Sequence, residues 1–116
     1  GDSIVHFERS NIAHMGDLVF NKIYPNIDRN AGASIKNWIT VLDKVYNKLD
    51  KNTKVICGHG QKAEDVLVNR EFLKQKQFFL QTLLSFVEKE IKAGKSKEEL
   101  LQNTIIPGVD EWKDNF

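Results

Sequence analysis

Three short runs of this chain carry apolar residues at adjacent positions: Ile4-Val5 within residues 3–7, Ile12-Ala13 within residues 11–15, and Val55-Ile56-Cys57 after Lys54. Side chains on a strand alternate between its faces, so apolar residues of both parities ask for a sheet covered on both sides. The polar turn Glu8-Arg9-Ser10 between the first two runs predicts a hairpin, and residues 1–20 read as strands. Residues 21–33, with Pro25, Gly32 and several Asn and Asp, predict a long loop.

From Ser34 the period becomes helical. Ile35, Trp38, Ile39, Leu42, Val45, Tyr46 and Leu49 form one stripe, and Ser34 is placed to cap it, giving a helix over residues 34–49. Residues 54–60 then predict a short buried strand ending in Gly58-His59-Gly60. A long helix follows over residues 69–93, with Leu73, Leu80, Leu83, Leu84, Val87 and Ile91 on one face, Phe72, Phe79 and Phe86 widening it, and Gly94 as its stop. Ser96 with Glu99 is a capping box for a last helix over residues 96–104, which Pro107-Gly108 ends. Strand, loop, helix, strand is the order of a layered α/β domain with a short mixed sheet covered by helices. One layer of helices covers one face of that sheet, and the remaining sequence supplies no second layer.

Composition narrows the partners. The 116 residues carry 17 Lys and Arg against 16 Asp and Glu, a net charge of +1, which argues against a nucleic-acid arm or a polybasic membrane patch. Its apolar runs are only a few residues long, so no membrane span is expected. The single cysteine, Cys57, excludes a disulfide within the chain and suits either the cytosol or the periplasm. Gly1-Asp2-Ser3 lacks an initiator methionine and a targeting segment, as in a processed or truncated product.

Two glycine-flanked positions carry the chemistry. His14-Met15-Gly16-Asp17 runs a strand into a glycine that turns the backbone and presents a carboxylate, and Gly58-His59-Gly60 presents an imidazole free of neighbouring Cβ atoms. Carboxylate and imidazole are zinc donors, and strand ends are where α/β sheets keep their sites. By spacing alone the two motifs equally suit unconnected turns. His14 and His6 read more readily as packed or surface strand histidines, and Cys57 as a small core residue. Tyr24, Asp28 and Arg29 stand in the loop after Asp17. The alternating charges from Lys89 to Lys97 read as a solvated helix face.

Taken in order, residues 1–7, Asn11 through Asn21 with its His14-Met15-Gly16-Asp17, the helix bearing Asn37-Trp38, and Val55-Ile56-Cys57-Gly58-His59-Gly60 resemble the C-terminal half of a metallo-β-lactamase-fold hydrolase. The likeness covers roughly residues 1–93. It implies one half of an αβ/βα sandwich, with residues 1–116 as a single C-terminal half-domain. Asp17 would bridge two zinc ions and His59 would bind the second. The family's His-x-His-x-Asp-His motif, and a further histidine just before the Gly-Asp of this half, have no counterpart here. The resemblance thus implies a piece of a larger zinc-dependent hydrolase, cut just after a ligand histidine, whose parent activates a metal-bridging hydroxide against a small-molecule ester, thioester, lactone or lactam. The isolated chain would be inactive, with zinc weak or absent. Its partner would be the missing N-terminal half; the alternative is a non-catalytic, self-associating module in which a second copy covers the open sheet.

Overall fold

The computed structural model describes residues 2–114. The switch from strand to helix periodicity falls where the first helix, α1, begins, over Ile35–Lys48. Ser34 is extended and its hydroxyl accepts the Asn37 N–H at 3.3 Å, so one of the four donors left over at a helix start is satisfied. Leu42 is buried and Ile35, Trp38, Ile39, Val45 and Tyr46 pack beside it, as the stripe requires.

Strands β1 (Val5–Phe7), β2 (Ile12–Asn21), β3 (Lys54–Gly60) and β4 (Leu67–Asn69) form one mixed sheet in the order β1-β2-β3-β4. The expected hairpin is present as the antiparallel β1/β2 pair, β2 and β3 run parallel with α1 as the crossover, and β4 returns antiparallel to β3. Neither β4 nor the single turn of 3₁₀ helix over Ala63–Val66 was expected from the sequence. Three residues are too few to show a period. The second long helix, α2, accordingly begins later than position 69, at Phe72, and runs to Lys92. Gly94 stops it with φ +83°, donating to the Ile91 carbonyl at 2.9 Å. The last helix, α3, is shorter than expected, Lys97–Leu101, but its Ser96–Glu99 capping box is made in both directions, at 3.2 and 2.7 Å.

The register sorts the sheet into two unlike faces. Ala13, Met15, Val55 and Cys57 point to the helices and join Leu42, Leu73, Phe79 and Leu80 in the core. Val5, His14, Ile56 and Leu67 stand in one row across the four strands, with Phe7 and Ile12 paired beside them, on the opposite face. There Val5, Phe7 and Leu67 are 51%, 55% and 53% exposed. One-sided cover is thus an observed feature of the described residues.

Two stretches depart from the sequence reading in a way that bears on the site. The chain after α3 folds back: Ile106, Val109 and Trp112 are buried, and Lys113 pairs with the loop after β2, taking the Tyr24 N–H at 2.9 Å and donating to the Lys22 carbonyl at 3.0 Å. Helix α2 buries Phe72, Leu73, Lys76, Gln77, Phe79 and Leu80, but its apolar face loses cover toward the C-terminus, where Ile91 is 59% exposed.

Candidate functional site

Gly16 does not end its strand. It takes φ +51° inside β2, and the pairing with β3 slips on both sides of it. Gly16 stands opposite Cys57 and Phe20 opposite His59, so β2 advances four residues while β3 advances two. The three intervening residues, Asp17 through Val19, stand against Gly58 alone, two more than the ladder can pair, and form a bulge. Asp17 is therefore presented from within a strand, a correction to the picture of a strand end, with the same consequence for its carboxylate.

Gly58 is what makes room. A Cβ on it would lie 2.7 Å from the Gly16 carbonyl carbon and oxygen and would collide with Asp17 Oδ1. Only glycine lets the bulge close down on β3. His59, the next residue, then meets the carboxylate: His59 Nε2 lies 3.1 Å from Asp17 Oδ1, with side chains 48% and 63% exposed. The imidazole also stacks on Phe20, ring centroids 4.6 Å apart and planes 18° off parallel. The two residues that the sequence singles out as metal donors are thus brought together, half-open to solvent, from neighbouring parallel strands.

The loop after β2 walls the pair. Asp17, Phe20, Tyr24, Pro25, Asn26, His59 and Asp114 line an open hollow of about 570 Å³. Burial pushes the Tyr24 phenol above its ordinary range, with the charges of Asp114 and Asp110 adding to it against a lowering contribution from the Ile106 backbone. Trp38 fixes the far side of the bulge by donating its indole N–H to the Leu18 carbonyl at 2.9 Å. Asn21 ties β2 to the turn after β3 through the Asp65 carbonyl at 2.7 Å.

The other sequence candidates fall away from the pair. His14 accepts the Gly16 N–H on Nδ1 at 3.2 Å and stabilises the bulge rather than touching Asp17. His6 is exposed on β1. Cys57 is buried in the core and its thiol is pushed up to about 12 by burial, with Lys76 acting the other way, so it stays protonated and packs as a small hydrophobe. Asp28 spends its carboxylate on the Ala31 N–H at 3.1 Å, closing a turn. Arg29 is exposed beside the start of α1, in a different hollow. Sequence reasoning missed Asn26 and Asp114 as walls of the hollow and Lys76 behind it. Lys76 had a signal: it occupies the stripe position between Leu73 and Leu80.

A zinc ion takes three or four protein ligands in its usual sites. Among the described residues no group of three or more His, Cys, Asp or Glu converges, so Asp17 and His59 are a two-donor set that does not by itself fit the ion. Comparisons with protein-family models, with curated proteins and with solved structures return no match. No helix among the described residues is long and apolar enough to cross a membrane.

Proposed function

We propose that this chain is the C-terminal half of a metallo-β-lactamase-fold, zinc-dependent hydrolase, and that Asp17 and His59 are its contribution to a metal site completed by other residues. The observation that carries the reading is the Asp17–His59 approach at 3.1 Å, created by a bulge that only Gly58 admits. A structural turn has no need to aim a carboxylate and an imidazole at each other in a solvent-open hollow.

Asp17 and His59 would hold zinc only together with ligands from elsewhere, and the ion would then supply Lewis-acid chemistry for hydrolysis of an ester, thioester, lactone or lactam. This chain's own residues have more limited tasks. The Asp17 carboxylate presents one oxygen, Oδ1, to the His59 imidazole. The Phe20 stack holds the imidazole ring plane, and Tyr24 and Pro25 give the hollow an apolar wall.

The gene tests this most cheaply. The coding sequence ahead of Gly1 is expected to contain a His-x-His-x-Asp-His motif, and the two segments produced together are expected to bind two zinc ions and to hydrolyse small acyl substrates. A start codon at Gly1 with no such motif would remove the basis of the reading.

A second reading is favoured by a separate observation, the exposure of Val5, Phe7 and Leu67 on the sheet face away from the helices. An apolar sheet face with an edge strand beside it invites cover. In this reading a second copy of the chain supplies it, and the module self-associates without catalysis. Sedimentation separates the two: a monomer that dimerises only through this face would lose its dimer on Phe7→Ser.

A further inference from the structure

The most unusual group in the molecule lies behind the site. Lys76 is fully buried on α2, and among the described residues its Nζ has no hydrogen-bond partner. Four rings enclose it: Trp112 at 4.8 Å, Trp38 and Phe79 at 5.1 Å, and Phe20 at 5.6 Å from their centroids. Each ring comes from a different part of the chain: β2, α1, α2 and the returning C-terminal segment. An amine enclosed this way is held by ring faces alone, so any change in its charge must be met by movement of the rings or by entry of water.

Phe20 belongs to both arrangements. Its ring is one wall of the cage and is also the surface on which His59 stacks. We propose that Lys76 is a positioning residue for the His59–Asp17 pair, acting through the ring of Phe20. With the amine uncharged, the four rings close on an apolar stem and Phe20 is fixed under the imidazole. With the amine protonated, the cage holds a cation that no carboxylate among the described residues neutralises, and Phe20 shifts to face it or to admit water. His59 loses its platform in that state.

The surroundings allow this switch to operate near neutrality. Burial brings Lys76 from 10.5 down to about 7, with Cys57 on β3 acting the other way. Cys57 stays a neutral thiol up to about 12, and Tyr24, stacked on Phe79 at 5.7 Å, stays a neutral phenol because burial raises it. From β2, α1 and the C-terminal segment the groups facing the amine are the rings of Phe20, Trp38 and Trp112. Among the described residues, no carboxylate figures in what shifts this amine.

The chain carries its own reporter, because its two tryptophans, Trp38 and Trp112, are both cage walls. Tryptophan emission and the ring signals of isotope-labelled Phe20 are expected to move together between pH 6 and 8.5, with one midpoint near 7. The same transition is expected in His59→Gln, which removes the imidazole as its source, and is expected to vanish in Lys76→Met. Persistence in Lys76→Met, or tryptophan movement without Phe20, would overturn the proposal. Where Lys76→Met does not fold, direct nitrogen-15 titration of the Lys76 amine in the unaltered chain decides: an amine still charged at pH 9 sinks the idea.

Discussion

The two faces of the sheet carry similar residues and differ sharply in cover. On the helix side Ala13, Met15, Val55 and Cys57 are sealed under α1 and α2. On the other side Val5, Phe7 and Leu67, equally apolar, are each more than half in water. The strands themselves carry apolar residues for both faces. The contrast teaches that apolar residues on a strand are not enough to make a core: among the described residues only the face under α1 and α2 is sealed.

Truncation breaks or sharpens the contrast most directly. Phe79→Ala on the sealed side is expected to cost roughly 3 to 5 kcal/mol, because a buried ring leaves a cavity that the helices cannot collapse. Phe7→Ser on the open side is expected to stay within about 0.5 kcal/mol, the usual range for a surface substitution. Urea unfolding of both variants checks this. A cost for Phe7→Ser of the same order as Phe79→Ala would mean that the open face is already covered in solution.

The next effect is confined to the sealed side. Lys76 is near 7 in the fold and 10.5 in the unfolded chain, so between those values the unfolded chain binds the extra proton. Stability should therefore rise with pH through that window, by up to about 1.4 kcal/mol per pH unit, and level off below 7 and above 10.5. Asp43, held low first by the Lys74 hydrogen bond and then by its charge, and Asp50, held low chiefly by the Asn52 N–H, contribute in the opposite range. Their share is present above the ordinary carboxylate value and lost as pH falls through the lowered one. Thermal melts from pH 6 to 10 read the lysine's part, and Lys76→Met is expected to flatten the rise while gaining stability at pH 7.

A smaller effect is expected where the two faces meet, at the bulge. Gly58→Ala forces a Cβ against Asp17 and the Gly16 backbone, at a cost of about 1 to 3 kcal/mol as the bulge backs away. Its diagnostic is local. Chemical-shift changes should concentrate at residues 16–20 and at His59, and a uniform loss of structure would show that the bulge is not separable from the fold.

How much of this was legible depended on the length of each pattern. Helix α1 was readable to its cap because seven apolar positions repeat and Ser34 has few other uses at that point. The capping box at Ser96 and the stop at Gly94 were readable because each is a local device with local partners. Asp17 and His59 stood out as residue types beside glycine, but the need for Gly58 was invisible, since it follows from a register slip between strands 40 residues apart in the chain. Strand β4 is too short to carry a period. The burial of Ile106, Val109 and Trp112 depends on the tail meeting the loop after β2, a pairing that no local sequence signal encodes. Lys76 was missed for a different reason: its stripe position is a signal, but lysine in a helix ordinarily reaches water, and the adjacent sequence does not announce rings converging from four elements.

The central claim is that Asp17 and His59 are two donors of a metal site whose other ligands lie outside this chain. Zinc titration calorimetry on the chain, on Asp17→Asn and on His59→Ala tests it directly. The account predicts one weak site in the unaltered chain, in about the micromolar range or weaker, lost equally in both variants and weakened by acid. Tight binding of two ions to the chain alone, or weak binding that survives both substitutions, would contradict it.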